Sequence, residues 1–225
     1  MEKPILFNTD MVRAILDGRK TVTRRLAKKK YGNTELKMRT DKYGTRLIEI
    51  QENIEGETFG KKPEGGSWQK LLPYIEPKPP YSVRDTMYVR ETWQCLNPYS
   101  DKEYVYKATC DADFAKDIGS WLPSIHMPKV AARIWLKVTG VRVERLQDIT
   151  EQQIMLEGTP YDKEIYEMPC NIINAGEAYL RGEFMRLWES TVRYPYLKKY
   201  GWNANPFVWV IEFERCDKPE QDGAE

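Results

Sequence analysis

The sequence predicts an α+β fold, a small β-barrel or curled sheet with flanking helices. Three observations predict it. About six short apolar segments have strand texture, either alternating or continuously apolar. About three segments instead carry apolar residues at helical spacing. The two kinds do not alternate as strand–helix–strand units, which disfavours a doubly wound parallel sheet. At 225 residues the chain can bury a core without disulfides or metals.

The elements follow in order. Pro4-Ile5-Leu6-Phe7 reads as a short buried strand. Thr9 or Asp10 offers a helix N-cap, Met11, Val12, Ile15 and Leu16 share one helical face, and Gly18 supplies the residue past the helix end. After the turn Asp17-Gly18-Arg19-Lys20, the β-branched run Thr21-Val22-Thr23-Arg24 reads as a strand. Residues 27–80 differ in texture. They hold Lys28-Lys29-Lys30, Gly- and Glu-rich stretches and Pro73, Pro77, Pro79 and Pro80, with one apolar run at Leu47-Ile48-Glu49-Ile50. They are read as a partly flexible insertion holding a hairpin at most, the least core-like part of the chain. Met87–Arg90 and Tyr104–Lys107 are strands. Ala132–Val138 and Val141–Glu144 form one long strand or a pair split near Gly140. Thr150 caps a helix running to about Leu156, with Gln153 completing a capping box. Residues 177–191 carry Tyr179, Leu180, Phe184, Leu187 and Trp188 at helical spacing, and Phe207–Phe213 is a buried final strand.

Composition limits the function classes. Thirty-five basic residues against 34 acidic ones make the molecule no polycation, so nucleic-acid binding requires a local patch. Such a patch has a place: residues 1–30 hold nine Lys/Arg against three Asp/Glu, while residues 212–225 hold six Asp/Glu against two Lys/Arg. The single histidine, His126, excludes a site needing two. Cys95, Cys110, Cys170 and Cys216 contain no C-x-x-C pair, which argues against a zinc ribbon and for free thiols in a reducing compartment. No cofactor or metal is expected. No apolar run reaches membrane-spanning length and the N-terminus lacks a signal-like apolar region, so a cytoplasmic location is expected, with no membrane partner.

Three stretches taken together resemble one family: Ile15–Arg24, Met87-Tyr88-Val89-Arg90-Glu91-Thr92-Trp93, and Leu146–Thr150 through Glu157-Gly158 with the closing Trp209–Phe213. They are similar to the ASCH domain, a branch of the PUA-like β-barrels associated with RNA. Trp121-Leu122-Pro123-Ser124-Ile125-His126-Met127-Pro128 is similar to a longer form common in bacteriophages and prophages. The resemblance covers residues 4–25 and 81–215. It implies a PUA-like small mixed barrel over residues 1–26 and 81–215, an insertion at 27–80 and an acidic tail at 216–225, in a bacterial or phage-infected cell. One departure stands out. The family has Gly-Asp before its second strand, where this chain has Arg84-Asp85.

The resemblance also implies chemistry. Small bacterial members remove the acetyl group from N4-acetylcytidine with a lysine, a threonine and a glutamate. Carried onto this sequence, these are Lys20, Thr23 and Glu157. A threonine hydroxyl needs a base to take its proton, and lysine serves only when neutral. Residues 20 and 23 face opposite sides of an ideal strand, so the scheme requires Lys20 to lie in the turn. For binding, Arg19, Arg24 and Arg25 give the Gly18–Arg25 turn a basic character. Arg90 is placed to line a cleft mouth, Trp93 and Trp121 to stack on a base or fill the core, and His126 to act from a loop. The resulting expectation is an RNA- or nucleotide-binding protein using a basic cleft around that turn. The alternatives are an amidohydrolase acting through Lys20, Thr23 and Glu157, or a phage accessory or morphogenetic protein acting through protein contacts.

Overall fold

A computed structural model describes residues 1–30, 34–42, 44–51, 76–97, 103–167 and 175–220 of the chain. Its elements in chain order are β1 (Glu2–Leu6), α1 (Thr9–Leu16), β2 (Val22–Leu26), β3 (Thr34–Asp41), β4 (Gly44–Gln51), β5 (Thr86–Arg90), β6 (Trp93–Cys95), β7 (Tyr104–Tyr106), α2 (Phe114–Asp117), β8 (Trp135–Arg145), α3 (Glu151–Leu156), α4 (Lys163–Tyr166), α5 (Ala175–Thr191), α6 (Leu197–Tyr200) and β9 (Phe207–Cys216). The fold is α+β. Among the described residues no helix is long and apolar enough to cross a membrane.

The main sheet has the order β1-β5-β8-β9-β2, with β1 parallel to β5 and the other pairs antiparallel. β1 and β2 are therefore its two edges, and among the described residues no backbone ladder closes the barrel expected from the sequence. A side chain spans the gap instead. Arg25 Nη2, on β2, donates to the Leu6 carbonyl on β1 at 3.1 Å, and its guanidinium lies 5.3 Å from the Phe7 ring centre. The sheet is curled, as the short strands suggested, but open. The expected long strand at 132–144 is a single strand, β8, with a register shift between Val138 and Gly140.

Two cores lie on the two faces of this sheet. Ile5, Phe7, Val12, Ile15, Ile211 and Phe213 belong to one. Val22, Ile154, Leu180, Phe184, Trp188 and Val210 belong to the other, beneath α3 and α5. α1 is capped one residue earlier than the sequence suggested, because the Asn8 side chain accepts from Met11 N. Gly18 takes the left-handed conformation expected past its end, with φ 75°. α3 carries the expected capping box, Thr150 and Gln153 satisfying each other's backbone amides.

The segment 27–80 needs an amendment. Its described part is the β3–β4 hairpin, and this is anchored to the core. Leu47 packs with Ala27, Phe207 and Trp209, and the buried Glu49 carboxylate accepts from Lys30 N at 3.0 and 2.8 Å and from the Thr34 hydroxyl. Leu47 and Glu49, two positions apart on β4 and so on one face, dock the hairpin, the first against β9 and the second against Lys30 and Thr34. Of the expected proline-rich return, Pro77, Pro79 and Pro80 are described and lie in neither helix nor strand, while residues 52–75 with Pro73 lie outside the described residues, as do Cys170 and residues 221–225 of the acidic tail.

Candidate functional site

The site begins where two helices end. The α1 carbonyl of Ala14 accepts from both Arg19 N and Lys20 N, and the last α3 carbonyl, Leu156, accepts from Thr21 N. The turn is thus held between the C-terminal ends of α1 and α3, where a cation is favoured. Lys20 lies before β2, joined to Glu157 by an isolated bridge. The parity obstacle is removed, since Lys20 is not on the strand. Glu157 caps the end of α3, and Gly158 follows with φ 70°. A Cβ at Gly158 would stand 2.7 Å from Ala14 Cβ and 2.8 Å from the Lys20 Cβ, so this close approach needs glycine for space as well as conformation.

The Lys20 side chain is fully enclosed. Its Nζ donates to Glu157 Oε2 at 2.8 Å, to the Glu157 carbonyl at 2.7 Å and to the Val22 carbonyl at 2.8 Å. Three acceptors match the three protons of an ammonium. Burial nevertheless pushes the Lys20 pKa below the ordinary lysine value. The Glu157 carboxylate opposes that shift, and the Arg25 and Arg24 charges add to it.

Glu157 is shared. Its other oxygen accepts from Arg24 Nη1 at 3.0 Å. Arg24 Nη2 reaches Glu144 and also Gln153 Oε1, at 2.9 Å, so the capping-box glutamine has a second task. Glu144 accepts from Arg142, which pairs with Glu212. Lys20, Glu157, Arg24, Glu144, Arg142 and Glu212 thus form a chain of six charges alternating in sign. It runs from a side chain with 0% exposure to one with 43%. Alternation lets each buried charge face an opposite one, which is what makes burial tolerable. Arg24 Nε is buried without an acceptor among the described residues.

Thr23 is buried on the other face of β2. It opposes Ile211 on β9, which belongs with Phe7, whereas Arg24 opposes Val210 in the α3–α5 core. Thr23 therefore shares a face with Arg25. The Lys20 ammonium lies 5.5 Å from the Phe7 ring centre. Lys20, Thr23 and Arg25 all approach the Phe7 side of the sheet.

Beside this cluster opens a cleft of about 980 Å³. Among the described residues its charged lining is entirely cationic: Arg24, Arg25, Lys28, Lys78 and Arg193. Its aromatic lining is Tyr81, Trp188, Tyr196, Tyr200 and Trp209. Of the residues expected to touch nucleic acid, Arg25 lines this cleft with no carboxylate partner among the described residues. Arg24 also borders it, but its side chain is 1% exposed and its charge is committed to Glu157 and Glu144. It is an internal strut rather than a phosphate contact, because it lies on the inward face of β2.

The remaining expected residues do not line the cleft. Arg19 is exposed and paired with Asp17 at 2.9 Å. Arg90 donates to the Ile125 carbonyl. Trp93 is buried in a satellite core with Met127, Ala131 and Trp135, so it offers no open stacking face. His126 is exposed in a short 3-10 turn, Ser124–His126. Lys78, Arg193, Tyr196 and Tyr200 were missed. The only sequence signal for the last three was the alternation of Tyr with Arg and Lys over 193–200. No protein-family model, curated protein or solved structure matches the chain.

Proposed function

We propose that the chain is an RNA- or nucleotide-binding protein of the ASCH type, and that the cleft beside the Gly18–Arg25 turn is its binding surface. The observation that carries this reading is the charge of the cleft. Arg25, Lys28, Lys78 and Arg193 face a common space with no carboxylate lining it among the described residues, although the whole chain has nearly equal numbers of acids and bases. Segregated positive charge attracts a polyanion by releasing its counterions. The ASCH assignment is supported by Arg84, which adopts φ 75° at the position where that family has glycine. The backbone there keeps a glycine-like conformation although the residue has changed. A PUA-like reading is further supported by a curled sheet whose edges Arg25 bridges.

The test is fluorescence anisotropy of a labelled RNA oligonucleotide across salt concentrations. Four cations without a carboxylate partner among the described residues predict a slope of log K against log salt of about −2.8, or about a fifty-fold loss from 50 to 200 mM. Absence of binding at 50 mM salt refutes the reading.

A second reading, amide hydrolysis of N4-acetylcytidine, is favoured by one observation: Lys20 lies in the turn, held by Glu157, with its pKa lowered by burial. In that scheme neutral Lys20 takes the Thr23 hydroxyl proton as the oxygen attacks the acetyl carbonyl. The proton then goes to the departing exocyclic nitrogen, and water releases acetate from the threonine ester. The three acceptors around Nζ set the condition that the lysine must first give up a proton they hold in place. Release of cytidine that is abolished by Thr23→Val and by Lys20→Arg supports it, because arginine cannot act as a base. Activity surviving Lys20→Arg removes it.

A further inference from the structure

The cleft has a second kind of lining whose chemistry narrows its ligand. After α5 the chain runs Arg193-Tyr194-Pro195-Tyr196 into α6 and Tyr200. Tyr196 is 53% exposed and Tyr194 87% exposed, large aromatic surface left in water beside a cationic cleft. Tyr196 and Tyr200 both line the cleft, with ring centres 6.3 Å apart and planes 39° apart. Lys199 Nζ lies 5.2 Å from the Tyr200 ring centre, so a cation stands beside that ring. Arg25 and Lys28 come to the same space from the end of β2, and Lys78 from the segment before β5. Rings and cations thus line the same cleft, offering flat apolar faces to bases and positive charges to phosphates.

Resting on the binding reading above, we infer that the cleft takes a single-stranded nucleic acid, with unpaired bases stacked on Tyr196 and Tyr200 and phosphates on Arg25, Lys28 and Lys78. The physical argument turns on which faces a ligand has free. In a duplex each base face is covered by its neighbours, so exposed tyrosine rings gain nothing from it and only the cations contribute. In a single strand the base faces are open and stack on aromatic rings with little regard to sequence. Duplex binding gives no use to the exposed rings, whereas single-strand binding uses both linings. Stacking and phosphate contacts are common to RNA and DNA single strands, so the chemistry is shared and the sugar is read by comparison of the two.

The experiment uses the full chain and four probes: a labelled single-stranded RNA of mixed sequence, the same strand annealed into a duplex, the single-stranded DNA of that sequence, and inorganic polyphosphate as competitor. The expected result is at least ten-fold tighter binding of single strand than duplex. Tyr196→Ala should weaken single-strand binding about ten-fold, the loss of one stacked base, while duplex binding and polyphosphate competition stay unchanged. Tyr196→Phe, which keeps the ring, should retain the parent affinity, and thermal unfolding of both variants should match the parent because the residue is half exposed. Lys28→Ala with Lys78→Ala should weaken all four probes. The ratio between the RNA and DNA single strands then assigns the sugar. Equal affinity for duplex and single strand, or a Tyr196→Ala variant that binds the single strand as the parent does, overturns the stacking inference and leaves the cationic cleft standing. Failure of every probe to bind overturns both.

Discussion

Glu157→Gln tests the buried ion chain most directly. The carboxylate stands between Lys20 Nζ at 2.8 Å and Arg24 Nη1 at 3.0 Å, and both cations are almost fully enclosed. The amide keeps the shape and removes the charge, so two buried cations face one neutral oxygen. Removing one partner of a buried pair costs about 3–5 kcal/mol. For a chain of this size each kcal/mol moves Tm by about 2–4 °C, so a fall of roughly 6–20 °C is expected. Lys20→Met should cost less, because Glu157 then keeps Arg24. The pH dependence has a definite sign. Burial lowers the Lys20 pKa in the folded chain, so between that value and the unfolded value of about 10.4 the unfolded state binds more protons. Stability therefore rises with pH across that window. In Glu157→Gln the carboxylate that opposed the shift is gone, the window opens at lower pH, and the loss relative to the parent shrinks as pH approaches 10. Urea unfolding of the parent, Glu157→Gln and Lys20→Met from pH 6 to 10 measures this. Lys20→Met serves as the reference in which the lysine's contribution is absent and the tyrosines still titrate. A Glu157→Gln loss below about 1 kcal/mol at pH 7, or one that grows with pH, refutes the buried-pair account.

Gly158→Ala should destabilise by about 2–5 kcal/mol in urea unfolding, since the left-handed φ and the approach to Ala14 and Lys20 act together; a neutral result would mean that α1 and α3 do not meet there. Arg84→Gly should stabilise by about 0.5–1 kcal/mol, the left-handed strain relieved less the added freedom of the unfolded chain, and a loss of stability would contradict φ 75° at that residue. Lys28→Ala with Lys78→Ala should reduce the steepness of the salt dependence of RNA binding by about 1.4, the share of two phosphates; an unchanged slope would place the ligand elsewhere.

The features legible in the sequence are those with local causes. The α3 capping box spans Thr150 to Gln153, and the left-handed residue after α1 is a glycine within one turn of its helix. β9 opens on a continuous apolar run, Phe207–Ile211, that needs no partner to be recognised as buried. The pairing of Lys20 with Glu157 spans 137 residues, and composition carries no trace of it; the resemblance alone brought the two together. Arg24 and Arg25 are adjacent and chemically identical, so sequence alone assigns both one role. Strand alternation, once β2 is placed between β9 and water, sends Arg24 inward to Glu157 and Arg25 across to Leu6. Whether the sheet closes depends on which strands sit at its edges, a long-range property that short strands with the right texture do not encode. The cleft has the same character. Arg25, Lys78 and Arg193 are scattered along the chain and become one surface only when β2, the return at 76–81 and the segment after α5 meet. Periodicity reports neighbours a turn or a pleat apart, whereas a binding surface is made by chain segments whose distance in sequence is set by topology.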